Sequence, residues 1–280
     1  MTESGRAAAL EAIAAEVRTC TRCRLHAGRT KTVPGEGDPL TEVVFIGEGP
    51  GRDENIAGRP FVGASGRLLT ELIESIGWRR EDVFVTNVVK CWPPGNRDPA
   101  PDEIAACRPY LERQLEVLDP AVVVSVGKHS LGVVMPGERI SRVHGTTRPM
   151  DPATGAPHAL SFAMYHPAFA LYDGSNRTTL FRDIAQLPAA LLAARDQRDG
   201  SSAERGTAPE LPMTGTSAGT SERSLPPVPI VSPAPAVPSA PATPPAPVTP
   251  PVVAAPSMPP TLAVPSGQPP LSDADQLTLF

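Results

Sequence analysis

The 280-residue sequence has little of what would assign it to a simple functional class. No run of about 18 or more apolar residues occurs, which excludes a membrane-spanning helix. Only three residues are lysine and the formal net charge is −5, so any nucleic-acid surface must be a local patch. The first 15 residues lack the apolar stretch of a secretory signal. We therefore expect a cytoplasmic protein.

Cysteine is equally scarce, and the four present are Cys20, Cys23, Cys91 and Cys107. In a reducing compartment thiols are seldom all used in disulfides, so a four-thiolate metal site is favoured. Such a set suits structural Zn²⁺ or an iron–sulfur cluster, and spacing alone does not choose between them. The alternative is four unrelated buried cysteines, or a redox-active CxxC pair with two bystanders. The first pair follows a helical run, which favours a clamp that ties the N-terminal helix to the domain.

Composition divides the chain into two unlike parts. Of the 36 prolines, 20 lie in residues 201–280, where the only aromatic residue is Phe280. Such a segment cannot bury enough apolar area to offset its ordering entropy, so we expect a disordered, partly polyproline-II tether. Residues 1–200 have an ordinary globular composition. We predict one folded domain at 1–195, a linker at 196–270 and a terminal peptide at 271–280.

Short apolar runs alternate with helical patterns in the first part of the chain. Strands are predicted at 42–47, 82–89, 121–126 and 159–165, and helices at 6–19, 64–77, 102–118, from about 128, and at 176–194. This order predicts a three-layer α/β/α fold with a central four-stranded parallel sheet. Ligands of such sheets lie outside the carboxyl ends of the strands. Segments 47–51, 87–91, 127–130 and 166–170 should therefore converge.

The first of these segments is glycine-rich. Its sequence, GEGPG, places Gly47, Gly49 and Gly51 around Glu48 and a proline. Glycine permits close approach of the backbone to a ligand. A plain tight turn explains the segment equally well.

Three further residues carry recognisable chemistry, and two of them, Asn87 and His166, lie at strand ends. The amide of Asn87 can form a bidentate pair with the edge of a base, although it can also simply cap a strand. His166 is either a ligand-facing group or a satisfied core histidine. Phe61, between glycines in GRPFVG, can stack on a planar ring, although a core position is the ordinary place for phenylalanine.

The ordered combination of motifs closely resembles the family 4 uracil-DNA glycosylases, which carry an iron–sulfur cluster. The motifs are GEGPG, GRPFVG, TNVVKC and a distal HPA, with CxxC upstream and Cys107 downstream. The resemblance covers roughly residues 10–190 and implies the glycosylase-like α/β/α fold. It also implies that the four cysteines hold one [4Fe–4S] cluster, with structural zinc as the alternative, and that the domain acts on uracil-containing DNA.

The resemblance also implies a role for each site residue. The Asn87 amide would match the N3–H donor and O4 acceptor of uracil, which cytosine does not offer. Phe61 would stack on the base, and His166 would hydrogen-bond uracil O2. Glu48 would position or activate the attacking water. The three glycines of GEGPG would line the pocket through their backbone.

The chain departs from the family pattern at two positions. Ala168 stands where a serine is common after His-Pro, so a hydroxyl contact to DNA phosphate is missing or replaced. Asn55 stands where an acidic residue is usual, and the neighbouring Asp53 and Glu54 are candidates to compensate. Relatives that bond covalently to DNA carry a basic, histidine-containing insertion, and residues 92–106 contain no histidine. We therefore expect turnover rather than covalent capture.

The last five residues are unlike the rest of the proline-rich segment. They are Gln276, Leu277, Thr278, Leu279 and Phe280. The pentapeptide resembles the QLxLF motif by which bacterial polymerases and repair proteins dock on the replicative sliding clamp. A chance hydrophobic terminus is the alternative.

The leading hypothesis is a monomeric, nucleoid-associated base-excision repair enzyme that hydrolyses uracil from DNA. The second is a non-catalytic module that binds uracil-containing or single-stranded DNA and recruits partners through the tail. A third is a zinc-stabilised nucleotide-binding protein with GEGPG as its phosphate loop. No Lys-Ser/Thr pair follows GEGPG, which disfavours a P-loop.

Overall fold

The computed structural model describes residues 1–172 and 174–206. The predicted terminal peptide at 271–280 and most of the predicted linker at 196–270 lie outside the described residues. No helix among the described residues is both long and apolar enough to cross a membrane.

A six-stranded sheet forms the middle layer. Its strands are β1 (Glu36–Gly37), β2 (Val43–Gly47), β3 (Phe84–Asn87), β4 (Val122–Val126), β5 (Thr147–Pro149) and β6 (Leu160–Met164). Their order is β1-β3-β2-β4-β6-β5. The four central strands run parallel, as predicted, and β1 and β5 pair antiparallel at the two edges.

The predicted strand count of four is therefore too low by the two edge strands. They have only two and three residues, which is too short to produce an alternating pattern. Short, glycine- or proline-containing edges are common because they discourage pairing with other chains.

Nine α-helices are present among the described residues. They are α1 (Glu3–Thr19), α2 (Arg52–Ala57), α3 (Ala64–Ser75), α4 (Pro101–Leu118), α5 (Lys128–Val134), α6 (Ile140–Val143), α7 (Phe169–Tyr172), α8 (Ser175–Ile184) and α9 (Leu187–Gly206). The single helix predicted at 176–194 is two, because Pro188 has no N–H to donate to the carbonyl of Ile184. Helix α9 continues past residue 195, where the sequence predicts the end of the domain.

Both faces of the sheet are buried, which explains the unbroken apolar strands. Along β2, Val44 and Ile46 belong to the core that includes residues of α1 and α4. Val43 and Phe45 belong to the core on the other side, with residues of α3, α8 and α9. With both faces covered by helices, the carboxyl ends of the central strands are the open edge at which a ligand can meet the sheet.

Candidate functional site

The segments that follow the parallel strands meet in one cleft, as predicted. The cleft has a volume of about 540 Å³, within the usual range for a small-molecule pocket. Its walls include Glu48 after β2, Asn87 at the end of β3, Gly127 after β4 and His166 after β6. Phe61, from the loop between α2 and α3, completes the wall. The four side chains singled out in the sequence thus lie together.

Asn87 is the most buried polar group of the cleft, with 1% of its surface exposed. Its side-chain oxygen has no hydrogen-bond partner among the described residues. A buried acceptor left unpaired costs about 1–3 kcal/mol, so it needs a reason. An amide held at a strand end with an open acceptor is suited to receive a donor from a ligand.

Gly47 allows Asn87 and Phe61 to occupy adjacent positions. A Cβ atom on Gly47 would lie 2.4 Å from Asn87 Oδ1 and 2.6 Å from Phe61 Cζ. Gly49 and Gly51 line the cleft itself, and a Cβ on Gly51 would lie 2.6 Å from Glu54 Oε2. No larger residue fits at Gly47 or Gly51 without movement of these site side chains.

Phe61 has a left-handed backbone conformation, with φ of 55°. This conformation is unfavourable for a bulky residue and costs about 1–3 kcal/mol. Glu54 holds the loop in place, because its Oε1 accepts hydrogen bonds from the backbone N–H groups of Val62 (2.8 Å) and Gly63 (2.9 Å). Gly66 of α3 packs so closely that a Cβ there would lie 1.9 Å from Phe61 O. The ring of Phe61 therefore has a fixed position.

The acidic residue that acts at this loop is Glu54, and Asn55 has a different role. Asn55 is buried, with 3% of its surface exposed. Its Oδ1 accepts the backbone N–H of Thr30 at 2.8 Å, and its Nδ2 donates to Thr30 Oγ1 at 3.2 Å. Asn55 thus ties α2 to the segment before β1, while Glu54 faces the cleft.

His166 has a defined tautomer. Its Nδ1 accepts the backbone N–H of Ala168 at 3.2 Å, so in the neutral ring the proton is on Nε2. Burial lowers the pKa of His166 to about 4, with a small opposing effect from Glu54. The ring is therefore neutral at pH 7 and has one N–H to donate. It lies beside Phe61, with ring centroids 5.9 Å apart.

Glu48 is the carboxyl group of the cleft whose pKa is most clearly shifted. Burial raises the pKa of Glu48 to about 7, the nearby Asp98 adds to the rise, and Lys128 opposes it. His129 Nε2 lies 3.6 Å from Glu48 Oε2. A carboxylate with a pKa near neutrality can accept a proton from water at physiological pH.

The four cysteines lie around a second, smaller cavity. Cys20 caps α1, Cys23 precedes a 3-10 turn (Arg24–Ala27), Cys91 follows β3 and Cys107 lies on α4. Three N–H groups point at their sulfur atoms: Lys90 N is 3.2 Å from Cys107, Arg29 Nη1 is 3.4 Å from Cys91 and Arg22 N is 3.5 Å from Cys20. Donors of this kind stabilise metal-bound thiolates.

The spacing of the sulfur atoms bears on which metal centre they suit. No three of the four lie within 4.8 Å of one another among the described residues. Tetrahedral zinc with Zn–S bonds of about 2.3 Å places its sulfurs only about 3.8 Å apart. Burial raises the pKa of Cys107 to about 11, so a bound cation is needed to make it a thiolate. Four thiols around one cavity, three of them with an N–H directed at the sulfur, fit a thiolate-bound metal centre.

Lys90 joins the cysteine cavity to the base of the cleft. It is 1% exposed, and its Nζ donates to Thr86 Oγ1 (2.6 Å), Asn87 O (2.7 Å) and Gln114 Oε1 (2.7 Å). Its backbone N–H donates to Cys107 Sγ. All three ammonium protons are thus satisfied, and one residue ties the strand end at Asn87 to a cysteine.

Comparison with known proteins agrees with this geometry. Residues 34–187 match the model of the uracil DNA glycosylase superfamily. The chain is 46% identical over 188 residues to the type-4 uracil-DNA glycosylase of Saccharolobus solfataricus, covering 65% of this chain and 86% of that protein. It is 45% identical over 184 residues to the type-4 enzyme of Sulfurisphaera tokodaii (64% and 83%). For the type-4 enzyme of Thermotoga maritima the identity is 44% over 177 residues (62% and 91%).

The chain belongs to the type-4 uracil-DNA glycosylase family.

Sequence reasoning missed three residues that organise this family member's two centres: Gly66, Lys90 and His129. One of them had a detectable signal. Glycine inside a helix is disfavoured by about 1 kcal/mol relative to alanine, so Gly66 within the predicted helix at 64–77 indicated a close approach. The functions of Lys90 and His129 depend on contacts between distant segments, for which one sequence offers no pattern.

Proposed function

We propose that the chain hydrolyses the N-glycosidic bond of uracil in DNA, releasing uracil and leaving an abasic site, as a step of base-excision repair. The observation that carries this proposal is the buried, unpaired oxygen of Asn87 beside a fixed aromatic ring and a neutral histidine. The type-4 family relationship supports the same reaction.

Asn87 and Phe61 would recognise the base. The target nucleotide leaves the stack at a cost of a few kcal/mol and enters the cleft. Asn87 Oδ1 then accepts the N3–H of uracil, and Asn87 Nδ2 donates to O4. Cytosine presents an acceptor and a donor at these places, so it leaves both groups mismatched. Phe61 supplies a flat apolar surface for the ring.

His166 and Glu48 would carry the chemistry. As the bond from C1′ to N1 breaks, its electron pair leaves with uracil and negative charge develops on O2, where the Nε2–H of His166 donates a hydrogen bond. A preorganised neutral donor in a buried site is effective for such charge. Glu48 accepts a proton from the water whose oxygen bonds to C1′. The released uracil anion takes its proton from solvent.

We propose that Cys20, Cys23, Cys91 and Cys107 hold a [4Fe–4S] cluster, with structural zinc as the alternative. The placement of all four cysteines around one cavity and the N–H groups directed at their sulfurs support the cluster. The cluster supplies architecture: it ties α1 to α4 and to the strand end that carries Asn87.

A non-catalytic uracil-binding module is the weaker alternative. Asn87 and Phe61 would serve binding alone, but binding does not require a carboxyl group with a pKa of about 7 at Glu48. The family relationship also favours the enzyme.

The direct test is excision from a single-uracil oligonucleotide followed by alkali. We expect strand cleavage at uracil and none at cytosine, with protein well below the substrate concentration. Binding without cleavage under these conditions would support the non-catalytic module instead.

The excision rate should rise with pH through about 7, because Glu48 must be ionised to accept a proton. His166 adds no change in this range, because its pKa is about 4 and it stays neutral. Single-turnover rates from about pH 5 to about pH 9 would show the rise in the wild type. Glu48→Gln should lower the rate by roughly 10²-fold or more and flatten the profile. A flat wild-type profile would contradict the assignment of Glu48.

We also propose that Gln276, Leu277, Leu279 and Phe280 bind the replicative sliding clamp. A five-residue peptide binds weakly alone, but attachment to the glycosylase raises local concentration. Deleting residues 276–280 should abolish clamp binding in a titration. Excision from short oligonucleotides should stay unchanged, since the cleft is built from residues 48–171. Equal clamp affinity with and without the pentapeptide would refute this proposal.

A further inference from the structure

His129 lies between two carboxylates at the wall of the cleft. It occupies the first turn of α5, after Gly127. Its Nε2 is 3.0 Å from Asp98 Oδ2 and 3.6 Å from Glu48 Oε2. A ring nitrogen of His129 and one carboxylate oxygen from each of Glu48 and Asp98 all lie within 4.8 Å of one another. One ring nitrogen thus faces two acids, one of which is the proposed water-activating residue.

A proton on Nε2 suits the position of this nitrogen between two carboxylates. A nitrogen lone pair at Nε2 would repel both oxygens, whereas an N–H attracts both. This buried Nε2 makes no well-formed hydrogen bond to either carboxylate among the described residues. Burial also lowers the pKa of His129, which favours the neutral ring with its single proton on this atom.

We propose that His129 is a positioning residue for Glu48, and that its Nε2–H, which bonds neither acid here, closes onto Glu48 Oε2 in the complex with DNA while the other Glu48 oxygen accepts the proton of water. The proposal rests on the hydrolytic function argued above. It assigns no bond-making step to His129. Without this N–H, the Glu48 carboxyl would lose a donor that orients it.

The charged surroundings of Glu48 make the proposal testable. Asp98 faces it from the loop before α4, and Lys128 and His129 face it from α5. Arg52 and Asp53 of α2 line the same cleft. Asp98 and Lys128 act on the Glu48 carboxyl in opposite directions, and Lys128 Nζ also lies 3.5 Å from Asp98 Oδ2.

Two substitutions should therefore move the acidic limb of the pH–rate profile in opposite directions. His129→Leu removes the donor between the acids, so Glu48 ionises less readily and the limb should move to higher pH by about 0.5–1 pH unit. The maximal rate should fall about ten- to hundredfold through misorientation. Asp98→Asn removes a negative charge and should move the limb to lower pH by a similar amount.

The experiment is single-turnover excision against pH for the full chain, with three further variants. His129→Gln offers an N–H at similar reach and should restore most of the rate and the wild-type limb. His158→Leu, at an exposed histidine, is the matched control and should change neither. Thermal denaturation checks that each variant is folded. Asp98 is an exposed side chain, so Asp98→Asn should fold even if His129→Leu does not.

The proposal would be supported if the acidic limb moves to higher pH in His129→Leu and to lower pH in Asp98→Asn, and if His129→Gln restores the wild-type limb. An unchanged limb in Asp98→Asn, or displacement in the same direction in both variants, would overturn it. If the wild type excises uracil and these variants match it, only this inference fails. If the wild type does not excise uracil, the proposed function fails and this inference fails with it.

Discussion

Replacing Asn87 with alanine should remove most uracil excision while leaving the fold intact. The lost bidentate pair is worth about 1–3 kcal/mol, which corresponds to roughly a 5- to 150-fold lower rate at limiting substrate. The fold should tolerate the change because the Asn87 oxygen has no partner to lose, and the backbone carbonyl that accepts from Lys90 remains. The thermal midpoint should therefore change little.

Asn87→Asp is the matched variant, because it keeps the shape and replaces the amide donor with an oxygen. It retains an acceptor for N3–H but opposes the O4 of uracil with a second acceptor. We expect it to lose uracil excision at least as severely as alanine. Single-turnover rates on the same oligonucleotide, together with thermal denaturation, would measure both effects. Wild-type excision by Asn87→Ala would show that another residue reads the base.

The central fold could be predicted because its signals are local. Four continuous apolar runs predict four buried parallel strands, and the rule for ligands at carboxyl ends then brings Glu48, Asn87 and His166 together. The structure confirms that convergence. The edge strands were not predicted, because pairing at Glu36–Gly37 and Thr147–Pro149 depends on a neighbouring strand rather than on a pattern of their own.

The supporting contacts of the site were less predictable than its principal residues. Glu54 acts through two backbone N–H groups that converge only because Phe61 has a positive φ. The sequence named Asp53 and Glu54 as the acids that could compensate for Asn55, and both line the cleft, but only the structure shows that Glu54 accepts the hydrogen bonds of the loop. A shift of one residue on a helix turns a side chain by about 100°, which the motif spacing alone does not resolve.

The cysteine centre links the ends of three elements, and this arrangement sets what its loss should do. Cys20 ends α1, Cys91 follows the strand that carries Asn87, and Cys107 lies on α4. Lys90 connects Cys107 Sγ to the carbonyl of Asn87 through its backbone N–H and its ammonium group. Loosening the centre should therefore reach Asn87, the proposed base-recognition residue, although no cysteine lines the cleft.

With the proposed [4Fe–4S] cluster the purified protein should be brown, and Cys91→Ala should remove that colour, lower the thermal midpoint and reduce excision together. A structural metal centre contributes on the order of 10 kcal/mol of apparent folding free energy, which is comparable to the whole stability of a domain. We expect the variant to unfold partly or expose α1 to proteolysis, while Ser130→Ala, a buried side chain away from the cysteine cavity, should keep its colour. Protein purified without air should hold about four iron atoms per chain. Zinc without iron would refute the cluster and favour the structural zinc that is its alternative.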